Sequence, residues 1–403
     1  MKVVIVGNGV AGITAARTLR ERDRNVKIVV FSEERYHYYP RPKLIEFLAG
    51  EIEQDSLPFY PEGWYKERAI EVHLGCRVES IDVGRRFVRL ADGAQIEYDR
   101  LLLANGSRPN LPPVDGVEQE GVFTLRTLDD ALKIKSYARP GARALVVGGG
   151  LLGLESARAL KGLGLDVAVL QLGGRLLPAQ LDAEGAEMLK KQIEAHGIEI
   201  VLNASTSAIS GNGRANGVRL EDGRSLAASL VLISAGIKSN IELAKSAGLS
   251  VNKGVITDER LATSAENVYA IGDVAEVGSR VYGIIPAAVD QAKVAVDSIT
   301  GSVGEGYHGT VPSNTLQVVG IDLTSVGLVN PEGDGFEELR WSDDQRGVYK
   351  KLVLQHDLAV GAIVLGDRQI VPSVARMVRE KRDVARFKDR LLRPEFDLKE
   401  VFQ

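Results

Sequence analysis

Two glycine-punctuated segments constrain this chain more than any other feature. Val3-Val4-Ile5-Val6 is an apolar run that reads as a buried strand, and it leads straight into Gly7-Asn8-Gly9-Val10-Ala11-Gly12. Helix-forming residues follow from Ile13 to Arg20. In the spacing G-x-G-x-x-G each glycine has its own task. The first makes the strand-to-helix turn, the second lets a pyrophosphate approach the backbone, and the third lets the helix pack closely on the strand. The phosphates then sit at the positive end of the helix. The pattern recurs at Gly148, Gly150 and Gly153, 141 residues on (148 − 7), after the apolar run Ala144-Leu145-Val146-Val147. Two such units in one chain imply two dinucleotide sites.

A chain of 403 residues has room for two or three domains, each with its own core. A formal net charge of −4 gives no nucleic-acid footprint at the level of the whole chain. The single cysteine, Cys76, excludes an internal disulfide, a Cys-x-x-Cys pair and a cysteine-ligated iron–sulfur cluster. No base or cationic cluster adjoins it in sequence, so it reads as a core thiol. The histidines (His37, His73, His196, His308 and His356) are scattered without metal-ligand spacing and read as structural or surface residues. There is no signal peptide and no apolar run of about 18 residues, so a soluble cytoplasmic protein is expected.

The second strand, Asn25–Phe31, ends in Ser32-Glu33-Glu34. An acid about 20 residues past the glycines bonds the adenosine ribose in a dinucleotide fold. Glu33 lies 21 past Gly12, with Glu34 as the alternative and a solvated loop acid as the plain one. The dense aromatics and prolines of Tyr36–Leu44 suggest a rigid loop over a flat ligand, or else a packed surface loop. Ile45–Gly50 reads as a helix with a glycine C-cap. Arg86–Tyr98 reads as a hairpin, and Leu101–Pro109 as a strand running into a glycine turn at Asn105-Gly106. Proline-rich Asn110–Gly116 reads as a linker, and Leu128–Ala138 as an amphipathic helix. Past the second glycine motif, the strand Asp166–Leu170 ends in Gln171-Leu172-Gly173-Gly174-Arg175, without an acid. An NAD site usually has a carboxylate there and an NADP site a cation. Gln171 meets neither demand and Arg175 is the only cation nearby, so NAD is preferred and NADP kept open.

Leu230–Gly236 reads as the strand that closes an inserted domain, with Gly236 at its small-residue end. Asn267–Val274 delivers Asp273 after Gly272. Ile284-Ile285-Pro286 opens a helix with proline in its first turn, a source of positive potential. From about Gly309 the pattern changes to antiparallel strands, at Leu316–Val319, Thr324–Val329, Val348–Leu354 and Ala359–Leu365. The segment Arg376–Arg393 carries eight basic residues against three acids. It reads as a helix with a cationic face, either simply solvated or a dock for an acidic electron carrier. The expected fold is α/β, with two dinucleotide-binding (Rossmann-like) domains, one inserted in the other, and a C-terminal α+β domain. The expected boundaries are 1–112 with 236–308, 113–235, and 309–403.

Four motifs in order, Gly7–Gly12, Leu103–Pro109, Gly148–Glu155 and Tyr269–Asp273, resemble the FAD-dependent pyridine nucleotide–disulfide oxidoreductase superfamily over nearly the whole chain. The resemblance implies FAD at the first glycine motif, with Gly7, Gly9, Val10, Ala11, Gly12 and Glu33. Also implied in cofactor binding are Arg41, Pro42, Asn105, Gly106, Arg108, Gly236, Gly272, Asp273, Ile285 and Pro286. Asp273 fits the family aspartate that bonds the ribityl chain. By the same resemblance, the helix from Ile285 and Pro286 is expected to point at the flavin edge that gains negative charge on reduction. The nicotinamide cofactor falls to Gly148, Gly150, Leu151, Leu152, Gly153, Gln171 and Arg175. Glu155 resembles the glutamate that reaches toward nicotinamide and flavin, with Lys43 as a candidate partner for it or for the flavin edge.

Disulfide-reducing members carry cysteines in the loop after the second strand, where this chain has Tyr39-Pro40-Arg41-Pro42-Lys43-Leu44. That departure is similar to the cysteine-less branch of rubredoxin reductases, ferredoxin reductases and the flavin domain of NADH nitrite reductases. Leu176-Leu177-Pro178-Ala179-Gln180-Leu181-Asp182 resembles the same branch. The implied activity is exchange of hydride between NADH and FAD and of single electrons between FAD and an iron–sulfur or rubredoxin-type carrier, in either direction, alone or as a subunit of a larger complex. Two alternatives stand beside it: an NADH oxidase that reduces oxygen to peroxide, and an NADH-responsive structural flavoprotein. The C-terminal domain resembles the family's interface domain, which leaves the oligomer open.

Overall fold

Each glycine motif follows the central strand of a parallel five-stranded sheet in the computed structural model. The structure describes every residue except Val303, Pro312 and Val319, and only the backbone of 313–318. The first sheet runs in the order Val268–Ala270, Arg100–Leu103, Lys2–Val6, Lys27–Phe31, Ile70–His73. The second runs Val122–Phe123, Leu230–Ile233, Arg143–Val147, Asp166–Leu170, Glu199–Val201. The two orders superimpose strand for strand around the central one. The central strands are buried on both faces, which is why they read as unbroken apolar runs. Ile5 pairs with Val30 and Leu102, and Val146 with Val169 and Leu232. The crevice where neighbouring strands leave in opposite directions lies at the carboxyl end of each central strand, and there the glycines stand.

Each unit carries a small antiparallel sheet between its outer strand and its return strand. In the first it is Val78–Asp82, Phe87–Leu90 and Gln95–Glu97; in the second it is Thr206–Gly211, Ala215–Leu220 and Ser225–Ala227. The second unit is inserted in the first. Ser107–Pro109 leads into it and Ile237–Ser239 leads out, and these two segments pair antiparallel, Lys238 opposite Arg108 and Ser239 opposite Ser107.

The C-terminal part is a five-stranded antiparallel sheet ordered Ser313–Val318, Ile321–Gly327, Leu358–Leu365, Val348–Gln355, Phe336–Asp343. One face packs Leu352, Leu354 and Val364 against Val374, Met377 and Val378 of the helix Val371–Glu380. The other packs Leu323, Tyr349, Ile363 and Leu365 into the core that holds the helices Lys43–Leu48, Leu151–Gly162 and Ala183–Ala195. The expected strand at 316–319 ends on Val319, outside the described residues. The edge strand Phe336–Asp343 escaped the sequence reading, because an edge strand half in solvent breaks its alternation with Glu337, Glu338 and Arg340. Among the described residues no helix is long and apolar enough to cross a membrane.

The expected single helix over Arg376–Arg393 is not formed. The helix stops at Glu380, Lys381 is left-handed at φ 48°, and short 3₁₀ turns follow. The tail folds back instead, burying Val384, Leu391 and Leu392 against the sheet. Cys76 is half-buried rather than in the core, its Sγ 3.5 Å from the Leu74 carbonyl oxygen.

Candidate cofactor site

The two glycine loops share one geometry. Gly7 and Gly148 sit at φ +113° and +119°, and a Cβ on either would stand 2.2 Å from a carbonyl oxygen, of Ala104 or of Ser234. Both therefore need glycine for conformation and for room. A Cβ on Gly12 would meet the Gly7 oxygen at 2.0 Å, and one on Gly153 the Gly148 oxygen at 1.9 Å. These close helix and strand upon each other. A Cβ on Gly9 or Gly150 would meet nothing within 4 Å. Each is the N-cap of its helix, Val10–Arg22 or Leu151–Gly162, with no side-chain cap and no acid in the first turn. Each loop thus presents unclaimed backbone N–H groups and the positive end of a helix to open space. That is a cradle for a pyrophosphate, and the residues fit two dinucleotides.

Asp273 stands beside the first cradle. Gly272 is left-handed (φ +74°), a Cβ on it would touch the Ala11 methyl at 2.9 Å, and its N–H donates to the buried Gln291 Oε1 at 2.7 Å. This fixes Asp273 against the start of the first helix. Ser107 Oγ donates to Asp273 Oδ2 at 2.8 Å, and Arg126 Nη2 reaches the same oxygen at 2.9 Å. Burial and then the neighbouring Arg41 pull Arg126 below the usual guanidinium range, and Asp273 opposes them. Arg126 comes from the inserted unit, just ahead of a capping box in which Thr127 and Asp130 start the helix Leu128–Tyr137. Sequence reasoning missed Arg126. The usable signal was an aspartate delivered by a buried strand, which demands a cation. Asn105 donates from Nδ2 to the Asn240 oxygen at 2.8 Å, while its buried Oδ1 has no partner among the described residues.

Comparisons with known proteins show the family. Residues 1–293 match the family model described as pyridine nucleotide-disulphide oxidoreductase, and 312–382 match the rubredoxin NAD+ reductase C-terminal domain. The chain belongs to the pyridine nucleotide-disulphide oxidoreductase family. It is 34% identical to the assimilatory nitrate reductase electron transfer subunit of Bacillus subtilis (strain 168), over 98% of this chain and 51% of that protein. It is 36% identical to rubredoxin-NAD(+) reductase of Ectopseudomonas oleovorans, over 75% of this chain and 80% of that one. The structure superimposes on putidaredoxin reductase in its covalent complex with putidaredoxin with a TM-score of 0.89 and 27% identity, covering 100% of this chain and 98% of that chain. The chain spans about half the length of the first of these relatives.

The disulfide of the family's name has no counterpart here, since the chain has one cysteine. Arg41 and Pro42 open the helix Lys43–Leu48. Arg41 donates to the backbone oxygen of Arg126 and pairs with Glu34 at 3.0 Å, and Glu34 also takes the Tyr39 hydroxyl. Glu34 is therefore occupied. Glu33 is exposed at the strand end, 3.6 Å from Arg77. Arg108 is held by Glu242, at 3.0 and 2.6 Å, and by Asn240 Oδ1 at 3.1 Å. Those bonds brace the link between the units. Gly106 and Gly236 are left-handed, and a Cβ on Gly236 would meet open space. Pro286 lies in the first turn of the helix Ile285–Thr300, with Ile285 46% exposed.

At the second cradle, Gln171 Oε1 accepts from Gly149 N at 2.9 Å, so this side chain braces the loop itself. Arg175 is exposed, with Nη2 3.5 Å from the Pro178 oxygen. Leu152 is 41% exposed on the first turn of the helix and Leu151 is partly buried. Glu155 lies one turn into that helix. Burial pushes its carboxyl up to about 7, with Arg158 pulling the other way. The helices bearing Glu155 and Lys43 are neighbours, but the expected Lys43–Glu155 ion pair is absent among the described residues. Arg158 of the same helix pairs with Glu51 instead.

In the tail, Arg376 and Arg382 pair with Glu380 (each 2.7 Å), Lys388 with Glu337 and Asp357, and Arg390 with Glu400 at 3.5 Å. Half of the expected cationic face is neutralised within the chain.

Proposed function

We propose that this chain is an FAD-dependent NAD(P)H:electron-carrier oxidoreductase. The observation that carries the reading is two open glycine cradles in a family member with a single cysteine. Bound FAD supplies the exchange between one hydride and two single electrons, so that NADH and two oxidised one-electron carriers give NAD+, a proton and two reduced carriers. The protein's part is to bind, orient and set charge.

In this reading Gly9 and Gly150 receive the two pyrophosphates, at the first turns Val10-Ala11 and Leu151-Leu152. Exposed Glu33 takes the adenosine ribose of FAD. Asp273, immobilised by Ser107 and Arg126, holds the flavin's side chain, and the helix start at Ile285-Pro286 stabilises negative charge on the flavin edge. The Arg41-Pro42 loop replaces the cysteine pair, and electrons leave by outer-sphere transfer to a partner. Glu155, poised near neutrality, faces the nicotinamide cofactor. NAD is preferred over NADP because the ribose position holds Gln171 and Arg175 lies outside the loop's hydrogen bonds. The carrier is an iron–sulfur or rubredoxin-type protein, and the setting is the cytoplasm. The tail offers Arg379, Lys381, Arg386 and Arg393, exposed and without an ion pair among the described residues, as a smaller acidic-carrier dock than its eight basic residues imply.

The test is anaerobic. The flavoprotein is reduced with NADH, excess is removed, and reoxidation is followed by flavin absorbance. Slow reoxidation by oxygen with fast reoxidation by rubredoxin or a [2Fe–2S] ferredoxin is expected. Fast reoxidation by oxygen alone replaces this reading with an oxidase. Bleaching by NADPH but not NADH reverses the reading of Gln171.

A further inference from the structure

The second glycine loop does not stand alone on its sheet. Leu177 N donates to the Gly149 oxygen at 3.3 Å, and a Leu176 methyl lies 2.7 Å from where a Cβ on Gly149 would be. Leu176 and Leu177 are 1% and 0% exposed, and Leu177 is left-handed at φ +48°. A buried leucine keeps that conformation only where its surroundings over-determine it. Part of the surroundings comes from the C-terminal sheet and its loops.

Asn330 Nδ2 donates to the backbone oxygens of Pro178 and Leu181 at 3.0 and 3.1 Å, pinning both ends of the turn. Asp182, the next residue, caps the helix Ala183–Ala195 through Gly185 N at 3.1 Å. Its other oxygen takes the Tyr349 hydroxyl at 2.6 Å and Lys351 Nζ at 3.2 Å. Lys351 also reaches Glu338 at 2.9 Å, with its side chain 1% exposed. Burial pushes the Asp182 carboxyl up, but the bonds from Tyr349, Gly185 and Lys351 outweigh it and hold the group below its ordinary range. The seam between turn and sheet thus joins apolar contacts to a buried, paired set of charges.

We propose that the C-terminal sheet sets the position of the pyridine-nucleotide loop, with Asn330, Tyr349 and Lys351 as positioning residues that act through the Leu176–Asp182 turn on Gly149. The chain of contact is continuous. The sheet holds Asp182 and the turn, the turn holds Gly149, and Gly149 N is bonded to Gln171. This rests on the reading of the second loop as the nicotinamide cofactor's.

Asn330→Ala and Tyr349→Phe, singly and combined, are compared with the wild-type flavoprotein. NAD+ binding is measured by calorimetry, and amide hydrogen exchange is followed at 148–152 and 176–181. The double variant should bind NAD+ roughly tenfold more weakly, with flavin content and flavin absorbance unchanged. Exchange should rise together in both segments. Unchanged NAD+ affinity, with faster exchange confined to 176–181, overturns the proposal and leaves the seam a purely structural joint. If the double variant loses flavin, Lys351→Met, which keeps the buried volume, should show the same paired rise in exchange, and its absence counts against the proposal. A wild-type protein that binds neither NAD+ nor NADP+ overturns the reading of the second loop, and this inference with it. Wild-type binding matched by the variants overturns the inference alone.

Discussion

Glu155 is a half-buried carboxylic acid on the helix of the second cradle. Its carboxyl is raised from the ordinary 4.5 to about 7, chiefly by burial. The folded chain therefore binds a proton across that window that the unfolded chain has released. The sign follows from linkage: a stability penalty is absent below about pH 4.5, grows up to about 7, and is constant above it. Glu155→Gln should match wild type at pH 4.5 and exceed it at pH 8 by at most about 3 kcal/mol, read from urea unfolding at the two pH values. It should also flatten the pH dependence of flavin reduction by NADH between pH 6 and 8, a range estimated as roughly one unit either side of the titration midpoint. An unaltered pH profile would mean that this carboxyl does not face the nicotinamide cofactor.

The two strand–loop–helix elements sort their glycines into those that close and those that open. Gly12→Ala drives a methyl into the Gly7 carbonyl, 2.0 Å from its ideal position, and should cost about 1–3 kcal/mol or more, with loss of flavin. Gly150→Ala meets no atom within 4 Å and should leave the melting temperature and flavin content at wild-type values. Its effect should appear in the KM for NADH, raised about tenfold or roughly 1.4 kcal/mol, with kcat little changed. Elements of this kind were legible in the sequence because strand, glycine turn and helix follow one another within a dozen residues, and the closest contact, Gly12 on Gly7, lies inside that span, although the carbonyls that crowd Gly7 and Gly148 come from Ala104 and Ser234. Gly7, Gly12 and the buried strand between Lys2 and Val6 announce one another. Arg126 was not legible, since its partner Asp273 is 147 positions away and nothing local marks an arginine ahead of a capping box. The Tyr349–Asp182 bond spans 167 positions, and Lys351 sits in an apolar strand where a lysine reads as an exception. The break at Lys381 carries neither glycine nor proline, so the basic tail looked like one helix. Lys43 stood as a partner for Glu155 or the flavin edge; among the described residues it makes no ion pair with Glu155, and the neighbouring Arg158 pairs with Glu51.

At the scale of the whole molecule, the host unit and its insert are joined across the site by an ion pair as well as by the chain. Arg126 belongs to the insert and Asp273 to the host, with side chains 23% and 19% exposed. Arg126→Met leaves a carboxylate mostly buried without its cation and should lower the unfolding free energy by about 3–5 kcal/mol, with early release of flavin on heating. Adding Asp273→Asn should recover part of that stability without recovering flavin retention; no recovery would show that the two side chains do not act as a pair. The paired segments Ser107–Pro109 and Ile237–Ser239 have a consequence for changes of chain length. The insert leaves and rejoins its host at neighbouring positions of one ribbon, so the host meets it as a short loop with the modest closure entropy of one. A change of length in a surface loop inside the insert therefore leaves the paired ribbon, and with it the register of the host strands, where it stands.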